Sequence, residues 1–303
     1  MLKEPRWIGF VFVIVAAVLW GVGGTVSQFL FQQVAISVEW LVTVRLLISG
    51  IILLSIAYFK DRRRTFAIFA SRHTMIQLIL FSLFGMLAVQ YTFFASVALG
   101  NAAIATMLQY TAPIFIILYI VISKIDRLHR GEFVAVFGTI IGTFLLLTNG
   151  SFSALTVPLT AVIWGLLSGI SLAFYTLYAS RLMNEWGSLI TVGWSMLFAS
   201  IMMSFIHPPW KVNMTNWTFS AWLMILFIII FSTMIAFFLY LHSLTYLKPQ
   251  ESSLLATLEP LSAIVTSIIW LHIPFGYFQV LGTLLVLATV VYISVFKKEQ
   301  RAT

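Results

Sequence analysis

The stretch LQYTAPIF, residues 108–115, recurs loosely as ATLEPLS, residues 256–262. Each copy sets a proline inside a long apolar run, and Pro113 and Pro260 are 147 residues apart in a chain of 303. Each half of the chain holds five apolar spans, and an odd number makes the second half enter the membrane from the opposite side. The sequence therefore predicts two inverted repeats, the usual architecture of alternating-access transporters.

The composition is that of an integral membrane protein. Hydrophobic residues make up 61% of the chain and charged residues 9%, whereas soluble domains carry roughly 25% charged residues. The mean hydropathy is +1.04, and the apolar runs reach the roughly 20 residues that a helix needs to cross a bilayer. We expect an all-α membrane protein without a soluble domain, in which the longest polar stretch, residues 60–74, forms a loop.

Ten transmembrane helices are expected, five in a first repeat (1–150) and five in a second, inverted repeat (151–303). Their expected positions are 8–31, 38–59, 75–97, 102–123, 131–148, 157–180, 188–206, 217–243, 250–271 and 275–296.

The basic residues fall on one side of this arrangement. The opposite side carries only Lys211, and Arg45 lies within a span. The positive-inside rule then places both termini in the cytoplasm. The fifteen residues on the basic side are Lys3, Arg6, Lys60, Arg62, Arg63, Arg64, Arg72, Lys124, Arg127, Arg130, Arg181, Lys248, Lys297, Lys298 and Arg301. Because topology explains the positive charge, nucleic acid is not an expected partner.

Glu259 is the main candidate for a functional residue. It lies roughly 13 Å into the ninth span, at 1.5 Å per residue. Pro260 cannot donate a backbone hydrogen bond, and its ring disturbs the carbonyl of Ala256. Polar backbone beside a carboxylate, with Thr257 nearby, suits an amine, a sodium ion or a proton. The alternative is a glutamate that only locks helix packing; we favour function because a carboxylate in lipid is costly.

Arg45 is the second charge within a span, roughly 10 Å below the end of the second helix. Its long stem could snorkel outward, or its guanidinium could pair with a carboxylate or a carbonyl. Glu39, six residues away, lies on a different face of the helix. We favour a structural role of this kind, an ion pair included, while capture of an anionic substrate stays open.

Two Trp-Gly pairs, Trp20-Gly21 and Trp164-Gly165, lie 144 residues apart and are interpreted as repeat mates. The glycines allow close helix packing, and the large rings could wall a central cavity and bind an organic cation. Core packing is the alternative for each ring alone. Four tyrosines could add hydroxyl groups: Tyr91, Tyr110, Tyr175 and Tyr178.

Enzyme signatures are absent from the sequence: it has no phosphate loop, no His-Glu-x-x-His, no paired-carboxylate motif and no nucleophile elbow. The chain has no cysteine, and its five histidines show no metal-ligand spacing. We therefore expect neither an enzyme, nor a metal site, nor a cofactor.

Together, Trp20-Gly21, Arg45 with its two following leucines, the segment 109–113 (QYTAP), Trp164-Gly165 and the segment 258–260 (LEP) resemble the EamA family of the drug/metabolite transporter superfamily. The resemblance spans nearly the whole chain. It implies a secondary transporter of the bacterial inner or plasma membrane, with a cavity lined by spans one, three, four, six, eight and nine. The substrate-binding candidates carried over on those helices are Trp20, Tyr91, Gln109, Trp164, Tyr175, Phe238, Thr257 and Glu259.

The chain departs from the family's pattern at the ends of spans four and nine. The Gly-Glu pair that members often carry there is replaced by Ser123-Lys124 and Leu271-His272. Any coupling role of those family acids is therefore in doubt here, which leaves Glu259 as the main intramembrane carboxylate.

The expected function is secondary transport of a small metabolite, such as an amino acid or an amine, by alternating access. Glu259 would bind a substrate amine or a coupling proton or sodium ion, and export is the expected direction. A non-transporting membrane receptor or a lipid-handling scaffold is the alternative class, and a membrane enzyme ranks third. The expected partners are the small-molecule substrate and the lipid bilayer. We expect the protein to be a monomer or a weak homodimer.

Overall fold

The computed structural model describes residues 6–124, 130–151, 154–215 and 217–296. These ranges are helical throughout apart from turns and short connections, and no strand occurs within them. The all-α prediction is therefore confirmed. Five of the basic residues that orient the chain lie outside the described residues: Lys3, Arg127, Lys297, Lys298 and Arg301.

Fifteen α-helices and two π-helical segments make up the described part of the chain. The π segments, Phe81–Leu87 and Ile228–Ile235, join α4 to α5 and α11 to α12. The helices are α1 (Arg6–Gln33), α2 (Val38–Lys60), α3 (Arg62–Ala67), α4 (Arg72–Leu80), α5 (Ala88–Leu99), α6 (Ala102–Gln109), α7 (Ala112–Ile122), α8 (Arg130–Thr148), α9 (Leu159–Trp186), α10 (Ser188–Ile206), α11 (Phe219–Phe227), α12 (Ala236–Ser243), α13 (Pro249–Ala256), α14 (Leu258–Ile269) and α15 (Tyr277–Phe296).

Eight helical stretches among the described residues are long and apolar enough to cross a bilayer, and Leu254–Ile269 and Tyr277–Tyr292 are apolar but shorter. Large apolar side chains cover the outer surface; Phe59 and Phe205 are each 86% exposed. A surface of this kind is stable in lipid and not in water. The protein is therefore a multi-pass membrane protein, while the count of ten spans and the side of the termini remain predictions.

The expectation of a plain loop over residues 60–74 is wrong. A six-residue helix, α3, forms there, and the side chain of Asp61 caps it by accepting a hydrogen bond from the backbone N–H of Arg64 at 3.0 Å. Its inner face is anchored where Trp194 Nε1 donates to the carbonyl of Thr65 at 2.9 Å. A cap and a few inward contacts are sufficient for a short helix despite the polar composition.

Both quoted proline segments interrupt a helix. The first break separates α6 from α7 at Tyr110 and Thr111, and the second separates α13 from α14 at Thr257. Pro113 and Pro260 each lie in the first turn after the break, where a missing N–H removes no hydrogen bond from the helix that begins there. The two prolines thus begin new helical segments in the middle of an apolar run.

The helix packing repeats itself between the two halves. Helix α1 packs against α12, α13 and α14, and α9 packs against the corresponding first-half helices α5, α6 and α7. The remaining helices pack in pairs of corresponding helices from the two halves, α2 against α10 and α8 against α15. Helices α1 and α9 are therefore the centres of two equivalent bundles, each holding one of the two breaks.

Candidate functional site

A side chain from the break between α6 and α7 forms a hydrogen bond at the break between α13 and α14. The hydroxyl of Tyr110 donates to the carbonyl of Ala256 at 2.7 Å and lies 3.4 Å from Glu259 Oε2. Pro260 has no N–H to offer that carbonyl, so Tyr110 provides the donor that the helix lacks. This is the polar backbone that Pro260 predicts, and it adjoins the carboxylate of Glu259.

Helix α1 lies directly against this break because of Gly21. A Cβ atom there would come within 2.4 Å of the Glu259 carbonyl oxygen and 2.7 Å of the Ala263 nitrogen. The preceding residue, Trp20, packs its ring against Phe237 and Tyr240, each with a centroid distance of 5.3 Å.

Tyr240, the third ring of this group, interacts electrostatically with both Glu259 and Tyr110. We call Trp20, Phe237 and Tyr240 the aromatic wall; it is connected to Glu259 through Tyr240 and through Gly21, the neighbour of Trp20.

The repeat mate of Trp20 lies in a different environment. The ring of Trp164 meets Tyr91 edge-on at 5.6 Å, and the Tyr91 hydroxyl donates to Glu39 Oε1 at 3.1 Å. Gln109 Nε2 donates to Ser168 Oγ at 2.7 Å, which holds α6 against α9. Trp20 and Trp164 thus lie in two different places, Trp20 near Glu259 and Trp164 against Tyr91, which bonds to Glu39.

Two further predicted residues, Tyr175 and Thr257, make contacts of their own. Tyr175 packs on Phe81 of the first π segment at 4.9 Å and lies within electrostatic range of Tyr240. Thr257 Oγ1 donates to the carbonyl of Leu254 at 2.6 Å and so closes the last turn of α13.

Phe238 does not join the aromatic wall. Its side chain is 46% exposed and stacks on the ring of His242 at 5.6 Å. Its neighbours Phe237 and Tyr240 contact Trp20 instead. The π segment just before α12 explains the difference, because an i→i+5 turn shifts the face on which every later side chain points.

Arg45 neither snorkels nor forms the expected ion pair. Its side chain is 6% exposed, and its Cζ lies 4.6 Å from the centroid of the Phe94 ring on α5. Within the described part of the chain, its Nε has no hydrogen-bond partner. Arg45 is within electrostatic range of Glu259, yet the close ion pair found among the described residues joins Arg6 and Glu251.

The two ends of the helix bundle are packed differently. At the end where α6 begins, α1 packs against α5 and α6, and α6 packs against α14. The equivalent contacts at the other end would join α9 to α12 and α13, and α7 to α13. Among the described residues no comparable packing forms there. We call these the packed end and the unpacked end; Tyr110 and Glu259 lie at the height where one gives way to the other.

Comparison with known proteins matches one family model to nearly the whole chain. The EamA-like transporter family matches residues 7–148 and again residues 159–295. The chain is 35% identical over 288 residues to a Salmonella typhimurium protein named "Uncharacterized inner membrane transporter YicL", covering 94% of this chain and 95% of the relative. It is 28% identical over 271 residues to the Escherichia coli protein named "Threonine/homoserine exporter RhtA", covering 89% and 85%.

A solved crystal structure has the same fold. It superposes with a TM-score of 0.62 over 98% of this chain and 99% of its own, at 14% sequence identity. A match at that identity speaks for the fold alone.

Proposed function

Because the chain belongs to the EamA-like transporter family, we propose that it is a secondary transporter that moves a small metabolite by alternating access. The observation that carries the proposal is the placement of Glu259. Its carboxylate lies beside the second break, contacts Tyr110 of the first break, and stands where the packed end meets the unpacked end. A substrate held there touches both bundles, so its binding can bias their relative position.

The mechanism rests on the unequal ends. In the state described, α1, α5, α6 and α14 close one end, and α7, α9, α12 and α13 leave the other end unpacked. Alternating access requires a second state in which these two sets of contacts exchange, as inverted repeats permit. Under the positive-inside orientation the unpacked end faces the cytoplasm, so the described state receives substrate from the cell interior.

The finer features of the proposal are ten spans in two inverted repeats, both termini in the cytoplasm, location in a bacterial inner membrane, and export of an amino acid, an amine or a related compound. The repeated packing around α1 and α9 supports the inverted repeats. The names of the two relatives support inner-membrane location and export. A proton or sodium ion bound at Glu259 is the proposed coupling ion.

The test is flux in proteoliposomes that contain the purified chain. Threonine and homoserine are natural first probes, given the name of one relative, followed by other amino acids and amines. We expect Glu259→Gln to lower substrate-driven flux by about 100-fold or more, because a charge-bearing site group is removed. Glu251→Gln, a carboxylate 34% exposed in the first turn of α13, is the matched control and keeps its flux.

Two outcomes would contradict the proposal. A protein that binds ligand but never moves it across the liposome belongs to the receptor or scaffold class. Normal flux through Glu259→Gln, at an unchanged melting temperature, leaves transport standing but removes Glu259 from the site.

A further inference from the structure

The segment 60–64 (KDRRR), where α2 ends and α3 begins, is the densest group of basic residues in the sequence. Its four basic side chains are all exposed. Arg64 donates to a backbone carbonyl at the end of α9, and Asp61, the acid of this segment, accepts the N–H that caps α3. Among the described residues, Arg62 and Arg63 form no salt bridge. Their charges are therefore available to an anion from outside the chain.

A groove of about 300 Å³ lies beside this segment, on the outer surface between the end of α2, α3 and α10. Its end is fixed by α3, since Trp194 Nε1 donates to the carbonyl of Thr65 at 2.9 Å. The Phe66 ring meets Trp194 edge-on at 5.8 Å and Tyr58 at 6.2 Å. The lining is mainly apolar and aromatic, and it includes Ile51, Leu54, Ser55, Tyr58, Phe66 and Trp194.

Arg62 connects the positive charge to the groove. Its Cζ lies 5.4 Å from the centroid of the Tyr58 ring, within the range of a cation–π interaction. Because Tyr58 lines the groove, the guanidinium of Arg62 stands at the rim. The groove and the basic segment therefore form one surface, apolar in its depth and positive at its edge.

The corresponding end of α10 in the second half lacks the charge. Phe59 and Phe205, the penultimate residues of α2 and α10, are each 86% exposed. Residues 60–64 follow the first of them, whereas residues 207–215 follow the second and contain one basic residue, Lys211. The combination of exposed aromatic residues with clustered arginines thus occurs on one side of the bilayer, the cytoplasmic side under the positive-inside orientation.

We propose that this surface is a binding site for an anionic phospholipid, with the phosphate on Arg62 and Arg63 and part of an acyl chain in the groove. A guanidinium matches a phosphate with two parallel hydrogen bonds. Basic residues next to a membrane-spanning helix attract the anionic lipids of the cytoplasmic leaflet. A phospholipid joins the anion and the apolar chain in one molecule, whereas a soluble anion has nothing to place in the groove. The site is independent of the transported substrate.

The experiment compares two lipids that differ in net charge. Phosphatidylglycerol and phosphatidylcholine with the same acyl chains are titrated into the purified full chain in detergent, and binding is followed by thermal shift, since a ligand of the folded state raises its apparent stability. The variants are Arg62→Gln/Arg63→Gln and a matched control, Lys124→Gln/Arg181→Gln. The control also removes two exposed positive charges from the predicted cytoplasmic side, and neither of its residues lines the groove.

We expect wild type and the control to bind phosphatidylglycerol about ten-fold or more tightly than phosphatidylcholine. Arg62→Gln/Arg63→Gln should lose this preference, since each arginine near an anionic headgroup contributes about five-fold in affinity. The single variants, each expected to lose about five-fold, cover the case in which the double variant does not fold.

A third variant tests the groove without changing any charge. Ser55 is exposed, and its hydroxyl bonds to the carbonyl of Ile51 in the preceding turn of the same helix, so its replacement breaks no contact between helices. Ser55→Phe places a ring in the groove and should weaken the binding of both lipids by about ten-fold, as the loss of a buried apolar contact predicts.

Four results would overturn the proposal. Equal affinity of wild type for the two lipids removes the headgroup selectivity, and an equal loss of preference in the control shows a general effect of surface charge. Undiminished lipid binding by Ser55→Phe removes the groove from the site. Stabilisation by inorganic phosphate equal to that by phosphatidylglycerol assigns the arginines to a soluble anion. A change of oligomeric state in Ser55→Phe, measured by light scattering, with no stabilisation by either lipid assigns the groove to a second copy of the chain.

Discussion

The break between α6 and α7 and the break between α13 and α14 have the same backbone design and different chemistry. Ala112 precedes the proline of the first break and is 3% exposed, whereas the same position of the second break holds Glu259. Tyr110 belongs to the first break, yet its hydroxyl bonds to the backbone of the second. The repeat therefore determines where the helices break, and its departures from symmetry determine where the charge lies.

The glycines that let a long helix approach each break offer the largest test of this comparison. At Gly21 an added Cβ meets backbone atoms of α14, namely the Glu259 carbonyl oxygen and the Ala263 nitrogen. At the mate, Gly165, the nearest atoms are the Cδ1 and Cβ atoms of Leu108 and the Oγ atom of Ser96. Backbone atoms of a packed helix cannot rotate away, whereas at Gly165 the Cδ1 atom of Leu108 can, and only the Cβ atom of Leu108 has to move with its helix.

Gly21→Ala should therefore lower the free energy of unfolding by about 3 kcal/mol and Gly165→Ala by about 1 kcal/mol, the two ends of the usual range for overpacking. Thermal unfolding of the two variants in the same detergent measures the difference. Equal losses of unfolding free energy in the two variants would mean that α14 moves aside as easily as a side chain. The second break would then be no more rigid than the first.

The hydroxyl groups at the two breaks give a second, smaller contrast. Tyr110→Phe leaves the carbonyl of Ala256 without its donor, because Pro260 cannot replace it. An unsatisfied polar group of this kind costs about 1–3 kcal/mol. The mate of Tyr110 is Thr257, whose hydroxyl bonds to Leu254 within its own turn. Thr257→Val removes a local bond of the kind that stabilises helices little.

Tyr110→Phe should accordingly destabilise the protein by about 2 kcal/mol, several times the effect of Thr257→Val. It should also lower flux, since the hydroxyl touches Glu259. Chemical denaturation and proteoliposome flux, measured on the same preparations, check both parts. A Thr257→Val variant that loses more stability than Tyr110→Phe would contradict the assignment of the long-range bond to Tyr110.

The features that could be predicted from the sequence are those with local causes. Pro260 is expected to disturb the turn before it, and α14 begins at Leu258 within that turn, as α7 begins at Ala112 just before Pro113. A glycine beside a large ring predicts close helix contact, and Gly21 and Gly165 both make one. The effect of a proline or a glycine on the backbone is confined to about one helical turn. It can therefore be predicted from the neighbouring residues alone, without knowledge of the fold.

The features that the sequence did not reveal depend on register and on distant partners. Each π segment changes the phase of the helix after it, which is why Phe237 and Tyr240, rather than Phe238, face Trp20. A regular 3.6-residue periodicity does not include that shift. The environment of Arg45 depends on the side chains that α5 and α14 place around it, and no local pattern reports this.

The starts of α6 and α13 provide the last comparison. Asn101 and Lys248 are 147 residues apart and occupy equivalent N-cap positions. Asn101 Oδ1 accepts the backbone N–H of Ile104 at 2.8 Å. At α13 the order is reversed: Glu251 Oε2 accepts the backbone N–H of Lys248 at 2.9 Å, and Glu251 Oε1 pairs with Arg6. One cap is neutral and the other is ionised.

The two caps should therefore respond differently to acid. Glu251 precedes the apolar stretch Leu254–Ile269, and the hydrogen bond from the Lys248 N–H, aided by Arg6, holds its pKa below the ordinary value of 4.5. A carboxyl group with a lowered pKa in the folded state stabilises the protein above its ordinary pKa, and the contribution disappears as the pH falls through the folded-state value. Asn101 does not titrate, so its contribution is independent of pH.

Asn101→Ala should cost about 1 kcal/mol at every pH, the usual value for a lost N-cap. Glu251→Ala should cost less, because its ion pair is exposed, and its deficit should shrink as the pH falls below 4.5 and disappear below the lower folded-state pKa. Melting temperatures of both variants and wild type, taken from neutral to acidic pH in the same detergent, provide the measurement. A constant deficit for Glu251→Ala across that range would assign its effect to lost packing, and the contrast between a neutral and an ionised cap would then have no energetic consequence.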